Sequence, residues 1–164
     1  MLFLRLGLRV VSARAACRPR SYATSSVTIN RVAPEATVGV REAVLWPGRP
    51  DMCRLAEDAQ GLHLAATLGD DQVIGILSLF VDGAEARFRK FAVLEAHRGA
   101  GVGSRLLQAA EAEAASAGAA HIDCDARAEM AAYYEKRGYA AAGPPFAKYE
   151  GSEQLYATMR KPLA

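Results

Sequence analysis

Arg98-Gly99-Ala100-Gly101-Val102-Gly103 is the stretch on which the reading of this chain turns. It lies between the apolar run Phe91-Ala92-Val93 and an Ala-, Leu- and Glu-rich segment that begins at Ser104. That order reads as a strand, a short glycine turn and a helix start. Glycine lets main-chain N–H groups approach a ligand with no Cβ in the way. The helix start adds unpaired N–H donors and the positive end of the helix dipole, so the turn favours an anion, phosphate above all. On spacing alone, an ordinary tight connection explains the stretch equally well.

Two nucleotide-binding motifs fail here. The mononucleotide loop needs Lys-Ser/Thr after its last glycine, whereas Gly103 is followed by Ser104-Arg105. The dinucleotide fingerprint needs G-x-G-x-x-G early in a βαβ unit, whereas Gly99, Gly101 and Gly103 alternate past mid-chain.

Downstream, Val102, Leu106, Ala109 and Ala110 recur with helical spacing, and the pattern ends near Ala117-Gly118. His121 to Ala126 alternates polar and apolar as a half-buried strand does. A shorter helix is expected from about Ala128 to Arg137, closed by Lys136, Arg137 and Gly138. A final strand pair is expected over Ala147 to Glu150 and Gln154 to Arg160.

Upstream, Val27 to Val32 is β-branched and reads as a first strand. Pro34-Glu35 opens a helical pattern that Trp46-Pro47-Gly48 stops, and Arg49 to Gln60 is polar and loop-like. Leu62 to Leu68, Gln72 to Val81 and Glu85 to Val93 follow as an antiparallel meander, with turns at Gly69-Asp70-Asp71 and Asp82-Gly83. In the third of these strands neither face is cleanly apolar. Arg87, Arg89, Phe91 and Val93 share one parity, and Phe88, Lys90 and Ala92 share the other. A bulge that changes which way residues point reconciles the pattern, and a solvated edge strand guarded by charges is the alternative.

The chain has 164 residues, is 51% apolar and carries a net charge of +2, the size and balance of one α/β domain. So small a charge gives no reason to expect a nucleic-acid partner. It conceals an asymmetry: Met1 to Pro34 holds no Asp or Glu but contains Arg5, Arg9, Arg14, Arg18, Arg20 and Arg31. The segment Met1 to Ser26 has the composition of a mitochondrial transit peptide. Arg5 and Arg9 interrupt its apolar run, which argues against a secretory signal and against a membrane span. Arg20 stands three residues before a cut between Tyr22 and Ala23, so residues 1–22 are the expected leader and 27–164 the folded domain. A disordered basic tail is the other reading. Cys17, Cys53 and Cys124 form no Cys-x-x-Cys or Cys/His cluster, so neither a zinc site nor a disulfide framework is indicated.

Arg98, Gly101 and Gly103 resemble the Arg/Gln-x-x-Gly-x-Gly/Ala signature of the GNAT superfamily of acyl-CoA-dependent N-acyltransferases. Tyr133-Tyr134-Glu135-Lys136-Arg137-Gly138-Tyr139 is similar to the family pattern Phe-Tyr-Glu-Lys-x-Gly-Phe, at about the right separation. Val44-Leu45-Trp46-Pro47-Gly48 resembles the Val-Leu-Arg-Pro-Gly of a small subgroup with a short N-terminal half, with Trp46 in place of the Arg. The resemblance covers roughly Leu62 to Lys161 and implies an α/β fold, with one mixed, splayed α+β sheet in a single domain.

By the resemblance, the turn from Arg98 through Gly99, Ala100, Gly101, Val102 and Gly103 to Ser104 cradles the pyrophosphate of acetyl-CoA. Main-chain N–H groups near Phe91, Ala92 and Val93 take the thioester carbonyl. Tyr134 protonates the leaving thiolate, with ordinary helix-to-sheet packing as its alternative. A bulge in the strand of Phe91 splays it to admit the pantetheine arm. The expected activity is N-acetylation of a primary amine, with no metal, and a homodimer is left open. Glu85, Asp82 and Asp125, near strand ends that border the acceptor cleft, are the candidate bases, with Glu85 and Asp125 placed first. Arg127 is read as a contact to the pantetheine arm or substrate, or as a surface ion pair. His97, His63 and His121 are read as packing or structural residues. An acyl-CoA-binding protein that no longer catalyses, and an interaction subunit whose glycine turn is only structural, are the competing functions.

Overall fold

The computed structural model describes residues 26–69, 71–148 and 150–163. The expected leader and Cys17 lie outside them. Among the described residues eight strands form one sheet: β1 (Val27–Val32), β2 (Leu62–Leu68), β3 (Gln72–Asp82), β4 (Glu85–Val93), β5 (His121–Arg127), β6 (Ala140–Ala141), β7 (Phe146–Ala147) and β8 (Leu155–Pro162). Their order is β1-β2-β3-β4-β5-β8-β6, and β7 also pairs with β8. Among the described residues every pair is antiparallel except β4–β5. That pair is parallel because its connection is a crossover through α2 (Val102–Ser116). The other helices are α1 (Val38–Val44) and α3 (Ala131–Glu135).

α2 lays Val102, Leu106, Leu107, Ala110 and Ala114 on one sheet face, against Leu64, Ile74, Leu77, Leu79, Phe88 and Ile122. α1 covers part of the other face through Val40, which meets Ala65, Ile76 and Ala92. Among the described residues no helix is long and apolar enough to cross a membrane.

The uneven strand is bulged. Ile76 faces Ala92 but Ser78 faces Arg89, so β4 carries one residue more than β3 over this interval. Lys90 takes the strain at φ 53°. Ahead of it Ala86 and Phe88 point into the α2-side core; after it Phe91 and Val93 do. The bulge therefore switches parity, and both Phe88 and Phe91 reach one core.

Three expectations are corrected. The polar run from Arg49 to Gln60 is not plain loop, because Pro50–Cys53 and Ala56–Gln60 are 3-10 turns. A buried ion pair pins them: Arg41 of α1, with no exposed surface, donates to Asp58 at 2.6 and 2.9 Å, to Ser78 at 2.9 Å and to the Cys53 carbonyl at 2.9 Å. His63 joins this network through Ser78 and the Asp58 carbonyl, a structural place as expected. The final hairpin is present but shorter than expected, Phe146 and Ala147 of β7 pairing with Tyr156 and Leu155 of β8. β8 pairs along Tyr156–Pro162 with β5, and its other edge takes only the two-residue β6 and β7. Pro144 and Pro145 between those two lack the N–H that a ladder needs. The second expected helix is likewise shorter, a 3-10 turn over Ala128–Met130 followed by α3.

Candidate active site in the gap between two strands

β4 and β5 are paired only from Glu85–Arg87 against His121–Asp123. Beyond Arg87, β4 follows β3 across its bulge, while β5 stays bonded to β8 as far as Arg127. A gap opens between Phe88–Val93 and Cys124–Arg127. Leu94 N–H donates to the Ile74 carbonyl at 2.9 Å. Because edges alternate along a strand, Ala92 turns its main chain toward β3 and Val93 turns its own toward the gap. The Val93 carbonyl duly accepts Arg98 Nε at 3.1 Å. This bond moors the glycine turn to the edge of the gap and leaves the Val93 N–H as a donor facing it.

Arg98, Gly99, Ala100 and Gly101 are exposed. Gly99 and Gly101 have φ 76° and 80°, and a Cβ at either would meet nothing within 4 Å. They are glycines for the sake of the left-handed backbone that ends the turn and begins α2. Gly103 differs. A Cβ there would stand 2.7 Å from Tyr133 Oη and 3.0 Å from the Phe91 ring. Its missing side chain makes room for Tyr133 and Phe91.

Sequence reading missed Arg137. Its Nε and an Nη donate to Ser104 Oγ at 3.1 and 2.8 Å, and its other Nη donates to the Tyr133 carbonyl at 2.6 Å. Its guanidinium lies 3.5 Å from the Tyr133 ring centroid. A cation thus joins the first turn of α2, beside the helix N–H groups. In sequence Arg137 looks like a helix-terminal charge, and nothing local reveals that it folds back on Ser104.

Tyr134 is buried among Phe88, Tyr133 and Tyr139, with ring centroids 5.2 to 6.1 Å away. Its hydroxyl lies beside the Cys124 thiol of β5, in the core on the α2 side of the sheet. Burial first, then Cys124, raises its pKa above the usual tyrosine range, which keeps it a proton donor. Burial also pushes the Cys124 thiol up to about 12. An un-ionised thiol is a poor nucleophile.

The candidate carboxylates part company. Asp125 lies two residues past the last β4–β5 pair, at the gap, on the sheet face opposite α2. Burial pushes its carboxyl up, but Lys148 at 3.1 Å, Arg87 at 3.3 Å and Thr158 at 3.3 Å outweigh this and hold it below the usual carboxylate range. Glu85 is not brought there. It opens the closed end of the β4–β5 pair, where His121 at 2.6 Å and Arg160 at 3.1 Å bind it. Asp82 and Glu85 instead line an open groove of about 400 Å³ with Glu57, Phe80, Arg87 and Arg89. Arg127 is exposed at the end of β5. Lys90, also missed, lies half-buried on the same face as Asp125, its Nζ 4.7 Å from the Trp46 ring centroid. Among the described residues no group of three or more His, Cys, Asp or Glu is placed to hold a metal ion.

Residues 57–141 match the family described as the acetyltransferase (GNAT) domain. The chain is 30% identical over 127 residues to the uncharacterized N-acetyltransferase YitI of Bacillus subtilis, covering 72% of this chain and 85% of that protein. A crystal structure from Lactobacillus plantarum, described as an N-acetyltransferase, superposes with a TM-score of 0.76 at 26% identity, over 85% of this chain and 99% of that one. The ribosomal-protein-S18-alanine N-acetyltransferase of Escherichia coli shares the fold (TM-score 0.69, 19% identity, 85% of this chain and 95% of that one). So does an aminoglycoside 6'-N-acetyltransferase solved with coenzyme A (TM-score 0.68, 15% identity, 84% and 97%).

Proposed function

Because the chain belongs to the GNAT acetyltransferase family, we propose that it transfers an acetyl group from acetyl-CoA to a primary amine in the β4–β5 gap. One observation carries this reading: Arg98 fastens the glycine turn of α2 to Val93, on the edge of the gap that opens where β4 leaves β5. In this reading the pyrophosphate lies on the first turn of α2, held by Arg98, Ser104, Arg137 and the helix N–H groups. The pantetheine arm passes through the gap beside Phe91, and the thioester carbonyl takes the Val93 N–H. Attack by a neutral amine from the face of α1 creates an oxyanion, which that N–H stabilises because it already points there. Tyr134 gives the thiolate its proton. Asp125 receives the proton of the amine through water.

The same geometry supports a second reading, an acyl-CoA-binding protein without turnover, since Asp125 is already bound by Lys148, Arg87 and Thr158. Calorimetric titration with acetyl-CoA, followed by thiol release with a panel of amines, decides between them. Binding with turnover supports the transferase, binding without turnover supports the second reading, and no binding removes both. The acid-free, Arg-rich residues 1–26 support import into the mitochondrial matrix and removal of residues 1–22, with 27–164 as the working domain of what is left.

A further inference from the structure

We propose that Lys90 is itself an acetyl acceptor, so that acetyl-CoA seated in the gap acetylates the enzyme at Lys90 Nζ. This inference rests on the reading that acetyl-CoA occupies the β4–β5 gap. Lys90 is the bulged residue of β4, with a φ of 53° that L-residues seldom adopt. Strict alternation would send its side chain to the same face as Phe88, toward α2. The bulge turns it instead to the face of α1, where its ammonium rests on Trp46. Three residues on, Val93 offers the N–H that faces the gap, so nucleophile and carbonyl site belong to one short stretch of strand. A lysine on its flexible four-carbon stem reaches across such a distance by leaving the ring.

The carboxylates nearby are engaged elsewhere: Glu57 is bound by Arg89 at 3.4 Å and Asp125 by Lys148 at 3.1 Å. Trp46 attracts the ammonium through its π face but takes none of its protons. Burial lowers the pKa of Lys90 below the usual lysine range. Lys148 beyond β7, Arg41 of α1 and Arg89 of β4 push the same way, and Glu57 of the Ala56–Gln60 turn opposes them. More of the free amine is therefore present near neutral pH than at an exposed lysine.

The step balances without another reactant. The neutral Nζ attacks the thioester carbonyl carbon, a C–N bond forms, and the C–S bond breaks. The thiolate leaves as coenzyme A, protonated by Tyr134, and the proton lost from Nζ restores that tyrosine through solvent. The product is an amide with no charge, which ends the contact of a cation with Trp46 and fills the acceptor side of the gap. Self-acetylation is in this way self-limiting.

The test uses the full chain with acetyl-CoA labelled with carbon-13 in the acetyl group, and peptide mass spectrometry at each lysine. Labelling of Lys90 at least tenfold faster than Lys136, Lys148 and Lys161, suppressed by desulfo-coenzyme A, is expected. Trp46 is the single tryptophan of the chain, so its fluorescence should change in step with the label. Labelling at Lys90 no faster than at those three, or unaffected by desulfo-coenzyme A, overturns the inference. Calorimetry on the same sample separates the failures. Binding without Lys90 labelling sinks this inference alone, whereas no binding sinks the reading it rests on as well.

Discussion

The hydroxyl of Tyr133 occupies the space that a side chain at Gly103 would fill, 2.7 Å from where its Cβ would stand. A glycine in the first turn of α2 and a tyrosine of α3 are therefore fitted to each other. Gly103→Ala should displace Tyr133 and Phe91, lower the melting temperature and weaken acetyl-CoA binding. Tyr133→Phe removes the obstructing oxygen, so the double variant should recover part of the loss. A coupling of about 0.5–3 kcal/mol is expected in a double-mutant cycle, read by urea denaturation. Strict additivity would show that the two residues act independently.

Tyr134→Phe deletes one hydroxyl and keeps the ring against Phe88 and Tyr139. The turnover number should fall by roughly a hundredfold to ten-thousandfold, the range for loss of a general acid, with the acetyl-CoA dissociation constant little changed. Tyr133→Phe is unsuitable as a silent control, because the Tyr133 hydroxyl lies beside Gly103 and Ser104. Since burial raises Tyr134, activity should survive through the pH at which an ordinary tyrosine ionises, and fall only above it. Undiminished turnover in Tyr134→Phe would assign the proton to water.

Arg98 and Arg137 meet the same turn from two elements. Loss of a hydrogen bond to a charged partner costs about 1.5–3 kcal/mol, so Arg98→Ala and Arg137→Ala should each weaken acetyl-CoA binding by about tenfold to a hundredfold. Arg137→Lys should recover little, because one ammonium cannot serve Ser104 and the Tyr133 carbonyl in the geometry of the planar fork. Titration calorimetry checks both, with dephospho-coenzyme A as a second ligand. Unchanged affinity in both variants would remove the turn from the binding site.

Asp58→Ala strands the Arg41 guanidinium in the core, beyond the Nε that already lacks a partner. A loss of about 3–5 kcal/mol is expected when one member of a buried pair is removed. The Asp58 carboxyl is pushed up by burial but held below its usual range by Arg41 and the Leu55 N–H. Its contribution is thus complete above the ordinary carboxylate pKa and disappears as pH falls through the lower, folded value. Acid unfolding of the parent should show this loss, and the variant should lack that part of the pH dependence.

The proposed processing between Tyr22 and Ala23 predicts that protein recovered from mitochondria begins at or within a few residues of Ala23. N-terminal sequencing reads this directly. An intact Met1 or a wholly cytosolic distribution would refute the proposal.

Much of the architecture is written locally. Glycines with φ near 80°, β-branched runs and helical spacing act over a few residues, so the boundaries of β2, β4 and α2 follow from sequence almost to the residue. The broken parity around Phe88 and Phe91 points to a bulge or to a charged edge strand, and the sheet decides for the bulge. Tertiary structure alone decided the rest. Arg137 meets Ser104 across 33 residues of chain, and Glu85 is carried to the closed end of the strand pair while Asp125 stands at the open end. Lys90 finds Trp46 only because the bulge rotates it to the face that α1 covers. These relations depend on where β4 leaves β5 and on which strand holds each one's far edge. No local propensity encodes them, since they come from long-range pairing that forms only when the whole sheet does.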